Sequence, residues 1–183
     1  MQTSHRRPDA IAGSQRGFTL VELMVTLALA AVLLMLAIPS FTNQLRGWQR
    51  DSATKAFTAH VQLARSEAIK TSRRVVMCSS ANGAACANSN EWRSGWLVFV
   101  DANSNGNIDA GETVLVSRGT STGLTSMLTS GNVQRLAFMP NGLMASNATT
   151  LQVIPTGSVS IQMNEVTVNR IGRAYAKAID RSS

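Results

Sequence analysis

From Gly17 to Pro39 the chain reads GFTLVELMVTLALAAVLLMLAIP, apolar throughout except for Glu22, Thr19 and Thr26. Phe18 to Ile38 spans 21 residues, or about 31 Å of helix at ~1.5 Å per residue, which is enough to cross a hydrocarbon core of ~30 Å. Pro39 removes a backbone donor and crowds the carbonyl four residues back, so a kink is expected there. Beyond it the pattern changes: Trp48, Phe57, Val61, Ala64 and Ala68 recur at helical spacing beside Arg50, Lys55, Arg65, Glu67 and Lys70. That predicts an amphipathic continuation of the helix over 40–72, softened at Gly47, with one face packed on a domain. After Arg73-Arg74 come short apolar or alternating runs separated by Gly, Asn and Ser. They predict strands near 74–78, 95–101, 112–118, 133–139, 150–154, 158–163 and 165–171, with turns at Pro140-Asn141-Gly142 and Pro155-Thr156-Gly157. A long N-terminal helix followed by an antiparallel β domain over 73–183 is an α+β arrangement. The 79–90 loop and the last dozen residues are expected to be mobile.

Residues 1–17 precede the apolar run. They are polar and basic, interrupted by Pro8 and Gly13, and read as a leader to be removed. A secretory signal peptide fits poorly, because its apolar core is shorter and ends at a small-residue cleavage site. A plain membrane anchor would not need Glu22, since an acidic residue inside a spanning helix costs up to about 2.5–3.5 kcal/mol and marks a functional position by default. The net charge of the 183-residue chain is +7, and without the leader 14 basic and 9 acidic side chains remain. That excess favours anionic partners. Arg6, Arg7 and Arg16 on one flank balance Arg46, Arg50 and Lys55 on the other, so charge alone does not orient the span.

The candidate chemistry is sparse. Cys78 and Cys86 can close a short loop, and a disulfide persists in an oxidising compartment such as the bacterial periplasm; two free thiols are the other reading. No further Cys or suitably spaced His completes a zinc site. Asp101, Asn103, Asn105, Gly106, Asn107, Asp109 and Glu112 satisfy the calcium-loop pattern, with oxygen side chains at alternating positions and a final carboxylate able to bind through both oxygens. The runs on either side read as strands, so an Asn/Gly-rich hairpin connection is the competing reading. Near the C-terminus Arg170, Arg173, Tyr175, Lys177 and Arg181 combine cations with one aromatic, a composition suited to phosphate contacts and base stacking. His60 stands alone on the helix as a half-buried packing residue. No nucleophile elbow, P-loop or H-E-x-x-H motif is present, and no enzymatic activity or resident cofactor beyond the calcium candidate is expected.

Arg16-Gly17-Phe18-Thr19-Leu20-Val21-Glu22-Leu23, with Pro39 twenty-second from Phe18, resembles the processing site of type IV pilins and pseudopilins. The resemblance implies that a prepilin peptidase cuts after Gly17 on the cytoplasmic face, that the new amine of Phe18 is methylated, and that Glu22 meets the Phe18 amine of a neighbouring subunit. The succession LARSEAIKTSRRVVMC, Trp92, GWLVFVD, Gly111-Glu112 and RLAFMPNG is similar to pseudopilin H and to FimT-type minor pilins. This second resemblance implies a single-pass subunit of the bacterial inner membrane with its β domain in the periplasm, later incorporated into a type IV pilus or a type II secretion pseudopilus. Its partners would be other pilins or pseudopilins, the inner-membrane assembly platform and the prepilin peptidase. The alternative is a DNA-binding minor pilin of natural transformation. Some FimT-type pilins use a Gly-Arg-x-Arg tail motif; this chain keeps Gly172 and Arg173 but has Tyr175 where the second arginine would stand.

Overall fold

The computed structural model describes residues 17–157 and 162–180. The leader to residue 16, most of the strand expected at 158–163, and Arg181 lie outside them. One helix, α1 (Leu20–Thr71), is followed by eight strands: β1 (Val75–Ser79), β2 (Trp96–Val100), β3 (Val114–Arg118), β4 (Leu124–Thr129), β5 (Arg135–Phe138), β6 (Thr149–Pro155), β7 (Met163–Val168) and β8 (Ala174–Ile179). Helical structure continues through Pro39 and Gly47. It ends where Ser72 takes a left-handed conformation, φ 54°. The chain divides into two compact units, residues 1–40 and 41–183.

In the first unit Thr19 starts the helix. Its side-chain oxygen accepts the Glu22 backbone N–H at 3.2 Å, and its carbonyl accepts that of Leu23. This is the N-cap half of a capping box, with Thr19 at the cap and Glu22 at the third helical position. The apolar side chains beyond it, from Leu20 to Met35, are exposed all round. A helix without a polar face has no preference for burial on one side, which suits a lipid or helix-bundle environment.

In the second unit the remaining helix is amphipathic. Ala53, Phe57, Val61, Ala64 and Ala68 are fully buried, and His60 is half-buried. Trp48, expected on the same face, is 57% exposed. The fully buried apolar stripe begins a turn and a half later, at Ala53; between the two, Arg50 and Asp51 meet the second sheet through polar contacts with Gln162 and Asn164. Two four-stranded antiparallel sheets receive it, in the orders β3-β2-β1-β5 and β4-β6-β7-β8. Trp92 and Glu91 join the two by pairing with β4.

The first sheet is buried on both faces along β1 and β2, while its edge strand β3 is partly exposed. Val75, Met77, Trp96, Val98, Leu136 and Phe138 face the helix, whereas Val76, Cys78, Leu97, Phe99 and Ala137 form a second cluster closed by Cys86 and Ile108 from two loops. Hence β1 and β2 read as unbroken apolar runs. The second sheet buries one face, and β6 and β7 alternate accordingly.

At the centre Phe57 sends its edge into two tryptophans, with ring centroids 5.4 Å from Trp92 and 5.7 Å from Trp96. The indole N–H of Trp92 donates to Thr129 Oγ1, and that of Trp96 donates to His60 Nδ1 at 2.9 Å. Arg118 covers the outer face of Trp96. Lower on the helix, Asn164 donates to Asp51 and Thr54, and Arg50 donates to Asp51 and to the Gln162 carbonyl. Burial alone would raise the Asp51 pKa, but the hydrogen bonds from Arg50 and Asn164 outweigh it and hold the carboxyl below its ordinary value.

Two elements depart from the sequence expectation. β4 has no counterpart among the expected strands, because LTSMLT offers little β-branched or aromatic character. The C-terminal stretch expected as a mobile charged end is instead β8, paired along its whole length with β7 from Ala174 opposite Val168 to Ile179 opposite Met163. β7 itself begins at Met163 and ends at Val168, where a turn through Gly172 reverses the chain.

Phe57→Ala is expected to lower unfolding free energy by about 3–5 kcal/mol, against no more than about 0.5 kcal/mol for exposed Gln62→Ala, as read by denaturant titration. Acid sensitivity is the second expectation. Burial first, and the Arg118 charge second, push the His60 pKa below its ordinary value. The unfolded chain therefore takes up the proton first. Stability is complete above about pH 6.5 and falls as pH drops towards the folded-state value, because a protonated Nδ1 loses its bond from Trp96. His60→Gln should flatten this part of a pH series of melting temperatures.

Candidate functional site

The proposed processing positions lie at the very start of the described chain. Gly17 precedes the helix, Phe18 is 82% exposed, and Glu22 sits in the first turn, exposed, with its backbone N–H held by Thr19. A carboxylate here faces the positive end of the helix dipole. Hydropathy alone does not reveal this local role of Glu22, although Thr19-Leu20-Val21-Glu22 shows the cap spacing.

Cys78 and Cys86 are joined in a disulfide with Cα atoms 5.6 Å apart. Cys78 is fully buried on β1 and Cys86 lies in the loop beyond it. The loop is ordered by more than the bridge. Ser80 Oγ donates to the Ala85 carbonyl, and Asn82 Oδ1 accepts the N–H groups of Ala84 and Ala85.

The 101–112 segment forms a hydrogen-bonded loop between β2 and β3. Asp101 is buried, and its Oδ2 accepts the Gly106 N–H at 3.0 Å and lies 3.3 Å from Arg74 Nε. Gly106 has φ +78°, the conformation that calls for glycine at this turn. The amides of Asn103 and Asn105 donate to Asp109 Oδ2. Glu112 accepts the N–H groups of Ala102 and Asp109. Two arginines clasp the loop from the sheet: Arg74 donates to the Ser104 carbonyl, and Arg135 to Asn107 Oδ1. Among the described residues no three Asp, Glu, His or Cys side chains gather to hold a metal. Each carboxylate has a loop donor, while Asp101 Oδ1 is buried without a hydrogen-bond partner.

The basic candidates divide by topology. Arg170 and Arg173 flank the turn between β7 and β8; the Arg170 carbonyl accepts from Met144, and the Arg173 N–H donates to Asn169 Oδ1. Tyr175 and Lys177 stand at alternate positions of β8, opposite Thr167 and Glu165, so they share a face of the sheet. The turn leans on the helix so closely that a Cβ at Gly172 would meet the Gly142 carbonyl at 2.7 Å and Arg65 Cδ at 2.8 Å. Beside it opens a cleft of about 630 Å³, lined by Gln62, Arg65, Ile69, Asn169, Arg173 and Tyr175 among others and by no carboxylate. Arg65 Nε donates to the Gly142 carbonyl, which aims the guanidinium at this end of the domain. Periodicity assigns Arg65 only to a polar helix face; its company with Arg173 needs the β7–β8 turn, which periodicity does not reveal.

Comparisons with known proteins agree with one another. Residues 53–172 match the family described as type II transport protein GspH, and residues 13–38 match the prokaryotic N-terminal methylation motif. A pilin-like protein, PilA1, of Thermus thermophilus is 31% identical over 168 residues, covering 88% of this chain and 97% of the relative. Among solved structures, the type IV minor pilin FimU of Pseudomonas aeruginosa aligns with TM-score 0.57 at 21% identity, over 71% of this chain and 92% of that one. The minor pseudopilin EpsH of the Vibrio cholerae type 2 secretion system aligns with TM-score 0.52 at 14% identity, over 71% and 97%. At these identities the structural likeness shows the fold. With an exposed apolar helix, a methylation motif and a double-sheet domain in one polypeptide, the chain belongs to the GspH family of pilin-like subunits, the minor pilins and pseudopilins of type IV pili and type II secretion systems.

Proposed function

We propose that this chain is stored as a single-pass precursor in the bacterial inner membrane with residues 41–183 in the periplasm, is cut after Gly17 by a prepilin peptidase, and enters a filament through α1. The observation that carries the reading is the apolar helix that begins at Leu20, exposed all round, with one carboxylate in its first turn directly after Gly17 and Phe18. The Cys78–Cys86 bridge is consistent with a periplasmic domain. Moving such a helix from lipid into a bundle of like helices exchanges one apolar contact for another, so extraction need not cross a large barrier. A carboxylate and an ammonium that meet in that surrounding each cost less than either alone, which makes Glu22 a register device in assembly. The assembly platform and other pilins or pseudopilins are the partners this mechanism requires. The reaction the chain undergoes is its own processing; it performs none itself.

The DNA-binding alternative gains from Tyr175 and Lys177 sharing one face of β8, with Arg173 in the turn just before the strand. It is opposed by Glu165, which stands directly across from Lys177. Filament assembly therefore remains the first reading.

Glu22→Gln tests it in the full chain in its native host. Glutamine keeps the helix start and removes the charge, so the subunit should accumulate in the membrane at normal level while its amount in sheared filaments falls about tenfold or more, by the value of one well-placed charge pair of about 1.4 kcal/mol or above. Wild-type incorporation of the variant would sink the assembly role of Glu22.

A further inference from the structure

Three of the four sheet edges are occupied or overlain. The outer side of β4 meets Glu91 and Trp92. That of β5 meets Met144 and Ala145. The stapled loop reaches β3 through Ser117 and Gly83. Among the described residues β8 pairs with β7 alone, and its side chains from Tyr175 to Ala178 are exposed.

Its side chains deepen the contrast. Ala176 and Ala178 stand opposite Val166 and Asn164, which are 0% and 7% exposed, and so belong to the core-facing side of the sheet. Yet both alanines are exposed. The core stops one strand short of the sheet edge, leaving a step floored by small side chains. At one end of this step lies the cleft that carries Arg65 and Arg173 and no carboxylate. Tyr175, which also lines the cleft, and Lys177 occupy the alternate positions of the strand.

We propose that β8 is a strand-addition site, which receives an extended, acidic segment of a partner protein as a fifth strand of the second sheet. The backbone edge supplies the hydrogen bonds, and alternate side chains of the incoming strand fall over Ala176 and Ala178. A carboxylate at the end of that segment enters the cleft between Arg65 and Arg173, where a guanidinium pair matches it. The chemistry disfavours one register of self-association. Antiparallel pairing of β8 with β8 of a second copy, centred on Tyr175, would set Arg173 against Lys177 and oppose like charges. It also favours protein over nucleic acid, because open backbone donors and acceptors beside alanines suit a strand, and Glu165 faces Lys177 on the alternative surface.

The test uses the full chain in detergent micelles and a fluorescent, C-terminally amidated eight-residue peptide, TVTVTVTE, whose valines and final glutamate share one face, read by anisotropy and by amide hydrogen exchange. The lysine counterpart TVTVTVTK and the interrupted TVTPTVTE serve as controls. The expected result is saturable binding of the acidic peptide with new protection of the amides at 175–179. Both controls, and exposed Arg173→Ala, should bind about tenfold more weakly, the value of a charge-assisted contact of about 1.4 kcal/mol. No binding at millimolar peptide overturns the proposal, as does binding without added protection in β8. Displacement of the peptide by duplex DNA that itself protects 175–179 would also overturn it, and assign the surface to nucleic acid. None of these outcomes bears on assembly through Glu22, which has its own readout in sheared filaments.

Discussion

The edge-on insertion of Phe57 between Trp92 and Trp96 is the contact on which the second unit depends. It is the point where the helix, the first sheet and the segment joining the two sheets meet. Aromatic pairs in this geometry add to the apolar area they bury. Each indole N–H also needs a partner once desolvated. Thr129 from the second sheet and His60 from the helix provide them, so the same cluster ties all three layers by directional bonds. The alanines at 53, 64 and 68 let the helix backbone approach the sheets closely on either side of Phe57 and Val61.

The first sheet shows how a small domain gains a second core. Two excursions of the chain fold over the face turned away from the helix, and each is fixed by a different device. The 79–90 excursion is held by the disulfide and by Ser and Asn side chains bonded to its backbone. The 101–112 excursion is held by Arg74, just before β1, and Arg135 of β5, acting on its carboxylate, amide and carbonyl oxygens. Asp101 is buried and its charge is matched by Arg74, which keeps the cost of desolvation within bounds. Neither excursion is a free loop, although both read as Gly- and Asn-rich connections.

How much is legible in the sequence depends on which signals are local. The apolar span, the amphipathic continuation, β1, β2, β3, β5 and the Cys pair are readable, because hydropathy period and composition are properties of neighbouring residues. The spacing of Trp48 fits the buried stripe, but how far the sheets extend along the helix is a tertiary fact. β8 reads as a charged end because three of the six residues in AYAKAI are alanine and only Tyr175 and Ile179 favour a strand; its pairing comes from the register with β7. The same cause hides Arg65 from the basic cluster. Calcium-loop spacing is legible too, but not the arginines that reach into the loop from residues 27 positions before and 34 after Asp101.

The placement of the three tryptophans has an optical consequence. Trp92 and Trp96 are wholly enclosed, whereas Trp48 is 57% exposed on the helix just past the apolar span. Emission from the chain therefore has two populations, one shielded from a water-soluble quencher and one open to it. Because Trp48 is the open one, the quenchable fraction reports on whatever covers the helix at that level and leaves the light from the core unchanged.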